Sequence, residues 1–358
     1  MSMSKIIVSS ATLAQGGASR VCANLSTPLC DAFDTVIFVT WSDRPQFYTI
    51  DNRVKWYCVE KEAGGTGELK RMLWFRRLIK SERPDLILSF LEPWNLRVLG
   101  CTIGLGVKTI VAERTDPWIV NKYWVMQEFE KLMYSRADGI LVQTPSIQKF
   151  FNGGLKKRTH IIYNPVNLPP EMVGKAVVAP KKKRIVFVGR LVPVKNIEIL
   201  IKAFEIFTKS HVDYSLTIYG DGPLEGELKA LVSSLNLSEK VDIPGPSKTI
   251  HQDILDAEML CLVSKREGMS NTMIEAMTLG IPCICTKVSG AVDLIKDGDN
   301  GLLVDIGDIE GLALKMDYIA THKEEALKMG ENATKVYELL NKDRIFKEWL
   351  TYLKEFVE

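Results

Sequence analysis

Two doubly wound α/β domains, each a parallel sheet covered by helices on both faces, are predicted for this 358-residue sequence. Short β-branched runs alternate with longer amphipathic segments, the pattern of repeated strand–helix units. The alternation breaks at Asn164-Pro165 and starts afresh near residue 185. The length itself suits about two domains at the usual 100–200 residues each.

Ile6-Ile7-Val8 opens the first series as a strand, residues 18–31 read as a helix, and Thr35-Val36-Ile37-Phe38-Val39 is a second strand. A basic helix over 68–81 precedes the strand Asp85-Leu86-Ile87-Leu88-Ser89. Thr109-Ile110-Val111-Ala112 and Gly139-Ile140-Leu141-Val142 follow, with a helix over 125–136 between them. These runs are apolar almost throughout, as strands buried on both faces are. Ile161-Ile162-Tyr163 leads into the break. Residues 169–184, ending in Lys181-Lys182-Lys183-Arg184, read as a solvated linker and strand lead-in. Ile185-Val186-Phe187-Val188-Gly189 then opens the second array, with strands at 215–219, 240–243, 259–263, 282–285 and 301–304. Helices at 198–209, 224–235, 272–279 and 310–318 fall between them. The expected domains are residues 1–164 and 165–340, with 341–358 returning as a helix to the first. Ligands of such sheets bind beyond the carboxyl ends of the strands, so the expected site is a cleft across which the two sheets face each other.

Composition excludes several classes. Hydrophobic residues are 46% and charged residues 25%, a soluble balance, and a net charge of +2 gives no footprint for nucleic acid. The charge is unevenly divided. Residues 1–165 hold 22 Lys+Arg against 15 Asp+Glu, hence +7, and residues 166–358 hold 24 against 29, hence −5. Seven scattered cysteines form no CxxC pair and the four histidines do not join them, so no metal site is expected and the thiols read as reduced. Met1 runs too directly into Lys5-Ile6-Ile7-Val8 for a signal peptide, and residues 98–112 are too short for a span of about 20 residues. A cytoplasmic protein is expected.

The chemistry-bearing motifs lie mainly in the second array. Arg190 and Lys195 follow the strand that ends at Gly189, where an anion would dock; taken alone, they are equally a solvated surface pair. In Glu267-Gly268-Met269-Ser270-Asn271, Gly268 permits close backbone approach and Ser270 or Asn271 can cap the helix that follows. The free N–H groups of that helix start suit a phosphate, flanked by Glu267 and Glu275; the competing reading is a cap followed by a surface Glu. Gly220-Asp221-Gly222-Pro223 fails the dinucleotide spacing, because the third glycine, Gly226, comes one position late. No GxxxxGK[ST] is present. In the first array Gln15-Gly16-Gly17-Ala18 joins strand to helix and lets backbone approach a ligand.

Together these segments, with Asn164-Pro165-Val166 and the run Asn300-Gly301-Leu302-Leu303-Val304, resemble a retaining GT-B glycosyltransferase of family 4 over almost the whole chain. The nearest likeness is to bacterial enzymes that extend lipid-linked or surface oligosaccharides. The resemblance implies two Rossmann-like domains, a nucleotide-diphosphate sugar donor (a UDP-sugar before others), and a glycan or polyprenyl-diphosphate-linked acceptor. It implies no metal and no cofactor. Arg190 and Lys195 would stabilise the leaving diphosphate together with the helix start at Gly268, Met269, Ser270 and Asn271. Glu275 would hold the ribose hydroxyls, Glu267 the donor sugar, and Pro246 and Ser247 the nucleobase, with Gly16 and Gly17 on the donor side. Relatives carry a His after the strand at 109–112, where this chain reads Glu113-Arg114-Thr115-Asp116-Pro117. Arg114 stays protonated and is no base. Asp116 is therefore counted among the catalytic candidates with Arg190, Lys195 and Glu267, and Glu113 and Arg114 among those placing the acceptor, with Asp116-Pro117 equally readable as a turn. Two alternatives stay open: a sugar-nucleotide epimerase on the same fold, and a non-catalytic binding subunit.

Lys70, Arg71, Trp74, Arg76, Arg77 and Lys80 share the basic helix, with Leu69, Met72, Leu73, Leu78 and Ile79 expected against the sheet. Lys70, Trp74 and Arg77 fall on one face. That face suits either solvent or an anionic membrane, at about 1 kcal/mol per cation near the surface. In the second reading it meets the acceptor diphosphate or the inner face of the cell membrane as a peripheral contact.

Overall fold

Strands β1 Lys5–Ser10, β2 Thr35–Thr40, β3 Lys55–Cys58, β4 Leu86–Phe90, β5 Lys108–Ala112, β6 Gly139–Val142 and β7 Thr159–Ile161 form one sheet, ordered β3-β2-β1-β4-β5-β6-β7. The second sheet holds β8 Arg184–Val188, β9 Ser215–Tyr219, β10 Val241–Gly245, β11 Met259–Leu262, β12 Cys283–Thr286 and β13 Leu302–Val304, ordered β10-β9-β8-β11-β12-β13. The strand pairs within both sheets are parallel. The structure is a computed structural model describing residues 4–14, 16–64, 67–117 and 123–357. It divides into two compact units, 1–165 with 342–358 and 166–341.

In the first unit the period of two along each strand sorts side chains to two faces. Ile6, Val8, Phe38, Leu88 and Phe90 pack with helix α1, Gly17–Ala32, and with Trp349 of the C-terminal helix Lys342–Lys354. Trp349 is fully buried and stacks on Phe90 at 5.8 Å between ring centres. The opposite face, with Ile7, Ile37, Val39 and Ile87, is covered by Phe75, Leu78 and Ile79 of α2, Glu68–Glu82, and Val98 of α3, Trp94–Thr102. Farther along that face Val111, Ile140 and Val142 meet Leu99 of α3 and Tyr134 of α4, Trp124–Tyr134.

Several elements depart from the sequence reading, three of them in the first sheet and its cover. β3 has only four residues at the sheet edge, with Lys55 and Trp56 exposed, so it lacks the apolar run that marks the inner strands. α3 lies partly inside the stretch at 98–112, where Gly100 obscures its period. β7 begins two residues earlier than expected, at Thr159.

The second unit repeats the plan around Ile185, Phe187, Leu216, Ile218 and Cys261. Its helices include α5 Ile197–Phe207, α6 Glu225–Ser234, α7 Asn271–Leu279, α8 Ile309–Thr321 and α9 Lys323–Thr334, the last absent from the sequence reading. All seven cysteines are free. Burial pushes the thiols of Cys22, Cys101 and Cys283 up to about 12, so they are inert packing groups.

Candidate functional site

The loops after β8, β9, β10 and β11 leave one edge of the second sheet, because the strands are parallel and adjacent in the order β10-β9-β8-β11. Each loop carries one of the motifs read in the sequence. The β8 loop, Gly189-Arg190-Leu191, is clamped by the β9 loop: Gly189 N donates to Tyr219 O at 3.0 Å, Leu191 N to Asp221 O at 2.7 Å, and Leu224 N to Leu191 O at 3.1 Å. This close passage explains Gly220 and Gly222. Their φ angles are 140° and 153°, and a Cβ on either would overlap the carbonyl of Gly189 or Leu191. The Gly-Asp-Gly-Pro segment is thus the support that holds the Arg190 loop in place. Arg190 itself is exposed and makes no ion pair among the described residues.

Lys195, at the end of the short turn Pro193–Lys195, is ion-paired with Glu267 from the loop after β11. Glu267 Oε1 also accepts from the Ser264 hydroxyl at 2.9 Å. Ser270 caps α7, its hydroxyl oxygen accepting from Met273 N at 3.4 Å, and Gly268, Met269 and Ser270 are buried beneath the helix start. Glu275 lies on the same helix, largely buried, with its Oε2 2.9 Å from His251 Nε2. His251 belongs to the short helix Ile250–Asp253, reached from Pro246 and Ser247 through a hydrogen-bonded loop. There Ser247 bonds Asp253, Thr249 N donates to Ser247 Oγ at 3.0 Å, and the Thr249 hydroxyl donates to Asp253 at 3.2 Å. The structure therefore brings Lys195 to Glu267 and ties the Pro246–Ser247 loop to Glu275.

His251 and Ser264 are the residues that sequence reasoning missed here. The motif residues include no histidine, yet one stands against Glu275. Its signal was only its position, four residues past Ser247 in the same loop.

The candidates of the first unit are placed differently. Gly16 precedes α1 and Gly17 opens it; a Cβ at Gly16 would meet nothing within 4 Å, and Gln15 lies outside the described residues. Glu113 is fully buried at the carboxyl end of β5. Its Oε1 accepts from Arg114 N and Thr115 N at 3.0 Å and from the Thr115 hydroxyl at 2.6 Å, and its Oε2 accepts from the Tyr134 hydroxyl at 2.9 Å. Burial pushes its carboxyl up, against the lowering by those donors. Arg114 points inward, donating to Asn164 Oδ1 at 2.8 Å with its guanidinium 5.7 Å from the Trp349 ring, and burial lowers its pKa to about 10. Asp116 is also buried. In this structure Glu113 and Arg114 are internal supports of the β5 loop.

On α2 the expected face is rotated. Arg71 is paired with Glu60 at 2.6 Å, Arg76 donates to the carbonyls of Cys101 and Ile103 at 2.7 and 2.8 Å, and Trp74 is half-buried against Tyr57. Leu69 and Leu73, expected against the sheet, point outward with Lys70, Arg77 and Lys80. Phe75, Leu78 and Ile79 fill the inner side, Leu78 and Ile79 as expected, and Arg71 and Arg76 find fixed acceptors at its margins.

Residues 16–165 match the family model described as Glycosyl transferase 4-like domain, and residues 170–336 match Glycosyl transferases group 1. The chain is 28% identical, over 99% of both chains, to the GalNAc-alpha-(1->4)-GalNAc-alpha-(1->3)-diNAcBac-PP-undecaprenol alpha-1,4-N-acetyl-D-galactosaminyltransferase of Campylobacter jejuni. A second C. jejuni protein, N-acetylgalactosamine-N,N'-diacetylbacillosaminyl-diphospho-undecaprenol 4-alpha-N-acetylgalactosaminyltransferase, is 28% identical over 85% of this chain and 87% of its own. Among solved structures, Anabaena HepE in complex with UDP-glucose superposes with a TM-score of 0.80 at 18% identity, covering 98% of this chain and 99% of that one. These matches run the length of both units: the protein has the GT-B fold and belongs to the glycosyl transferases group 1 family, as a glycosyltransferase that takes a nucleotide-sugar donor.

Proposed function

We propose that this protein moves a sugar from a UDP-sugar, with retention of configuration, to a saccharide carried on a polyprenyl diphosphate. The observation that carries the reading is the convergence of Arg190, Lys195, Glu267, the start of α7 and Glu275 on the carboxyl edge of four adjacent parallel strands. The relatives named above as undecaprenol-linked N-acetylgalactosaminyltransferases support the acceptor class, and the UDP-glucose complex of HepE supports the nucleotide.

The chemistry follows from the side chains. Bond breakage leaves charge on the β-phosphate, and two cations with the N–H groups of a helix start stabilise that charge as it develops. Arg190, exposed and unpaired with any carboxylate among the described residues, is the group available to the diphosphate. Lys195 is held in place by Glu267, whose remaining oxygen is available to a donor-sugar hydroxyl. Glu275 accepts from the ribose hydroxyls, and His251 fixes the orientation of its carboxylate. The acceptor hydroxyl loses its proton to the departing phosphate, so no strong protein base is required. Glu113 shapes the β5 loop on the acceptor side, and Asp116, buried beside it, positions the acceptor or the donor sugar.

Incubation with UDP-GalNAc and an undecaprenyl-diphosphate-linked saccharide tests this. The expected product carries one added sugar with the anomeric configuration of the donor, read from its proton coupling by NMR. An inverted product, or no product with any UDP-sugar, overturns the reading.

A further inference from the structure

α4, with the sequence WVMQEFEKLMY, is turned inside out for a helix packed on a sheet. Its buried positions are Glu130 and Tyr134, whereas Trp124, Val125, Met126, Phe129 and Leu132 are all exposed. At about 100° per residue these five side chains sweep one arc of roughly 200°, interrupted by Glu128 alone. Trp124 is 74% exposed and Leu132 67%, and Tyr123 just before the helix is 75% exposed. A continuous apolar face of this size marks a surface that meets something other than water. The polar side is held inward by chemistry already described: the Tyr134 hydroxyl donates to the buried Glu113 and accepts from Asn95 Nδ2 at 3.0 Å.

The surroundings identify the occupant. α3 packs against both α2 and α4, so the outward side of α2, with Leu69, Lys70, Leu73, Arg77 and Lys80, lies on the same side of the sheet. Apolar and cationic side chains are thus presented together. Residues 1–165 carry +7, and the appended 342–358 adds four cations and four carboxylates, leaving +7 for the unit. A second copy docking through this face would set that charge against itself, whereas anionic lipid complements it. Trp and Tyr at the exposed start of the helix suit the headgroup level, where an amphipathic ring meets both media. No helix among the described residues is long and apolar enough to cross a membrane, so this face can lie in the interface but not span it.

We propose that α4 is an interfacial helix that seats the first unit on an anionic bilayer, with Trp124 at the headgroup level, Val125, Phe129 and Leu132 below it, and Lys70 and Arg77 against lipid phosphates. The inference rests on the lipid-linked acceptor proposed above and gives it a physical route: the acceptor arrives by diffusion in the membrane plane. It also moves the main apolar contact from α2, where the sequence pointed, to α4.

The full chain is mixed with vesicles of phosphatidylglycerol and phosphatidylcholine, or of phosphatidylcholine alone, and sedimented without donor or acceptor. Wild type should sediment with the anionic vesicles. Trp124→Glu/Phe129→Glu/Leu132→Glu should lower the partition coefficient at least about tenfold, with unchanged affinity for UDP as the sign of an intact fold. If that variant does not fold, Trp124→Ser/Leu132→Ser serves, with the same direction expected. Lys70→Glu/Arg77→Glu should weaken binding to the anionic vesicles alone. Absence of wild-type binding, or α4 variants that sediment like wild type, overturns the inference. So does a change from dimer to monomer in the α4 variants with vesicle binding intact. Because sedimentation needs no turnover, a failure of sugar transfer would count against the acceptor reading and leave this result standing.

Discussion

The two units follow one folding rule and show opposite surfaces. The first carries +7 and, among the described residues, every exposed large aromatic side chain: Phe47, Trp56, Tyr123, Trp124 and Phe129. The second carries −5 and exposes only isolated aliphatics such as Val178, Val212 and Leu314. Yet it is the acidic unit that holds the cations read as diphosphate ligands. Net charge and local charge therefore answer different questions. The sum over a unit governs what large surface it approaches, over distances of about 8–10 Å set by screening. The proposed donor site is governed by which groups lie at hydrogen-bond range, and there Arg190, Lys195 and the α7 start are the groups that would outweigh an acidic background.

Substitutions confined to one unit can break this division. Trp349→Ala should have the largest effect on stability, a loss of about 3–5 kcal/mol, because it empties a fully buried site against Phe90 and removes the ring beneath Arg114. Urea unfolding followed by fluorescence reads it, and a midpoint equal to wild type would contradict the packing described. Arg190→Ala should lower kcat about 10²–10³-fold with an unchanged melting temperature, since the side chain is exposed and supports nothing. Gly222→Ala should cost about 1–3 kcal/mol and weaken donor binding together, because the Leu191 carbonyl must move and the Arg190 loop with it. A stability loss with donor affinity intact would detach that turn from the site. The smallest effect belongs to His251→Gln, a rise of about fivefold in the KM for donor with kcat unchanged, as expected for loss of one hydrogen bond to a carboxylate.

How far the sequence could be read varied with the kind of signal. Inner strands such as Ile185-Val186-Phe187-Val188 declared themselves because both faces are buried, and Glu267 through Glu275 because loop glycine, cap and helix follow in order. β3 did not, since an edge strand of four residues needs no apolar run. His251 was hidden because a four-residue helix has no period to read, so its contact with Glu275, 24 residues on, exists only in the fold. The α2 and α4 faces teach a third point. Periodicity locates an apolar arc on a helix but not the direction in which it points. On α2 Phe75, Leu78 and Ile79 took the inner side with Arg71 and Arg76 bonded at its margins, and on α4 the Glu113–Tyr134–Asn95 network did.

The most direct test of the donor site compares UDP with uridine by calorimetric titration, in wild type and in Arg190→Ala/Lys195→Ala. Wild type should bind UDP at least about 100-fold more tightly than uridine, at roughly 1.5–3 kcal/mol for each hydrogen bond to a charged group. The double variant should lose most of that preference while its uridine affinity stays. A double variant that still prefers UDP by the wild-type margin would contradict the assignment of the diphosphate to these two cations.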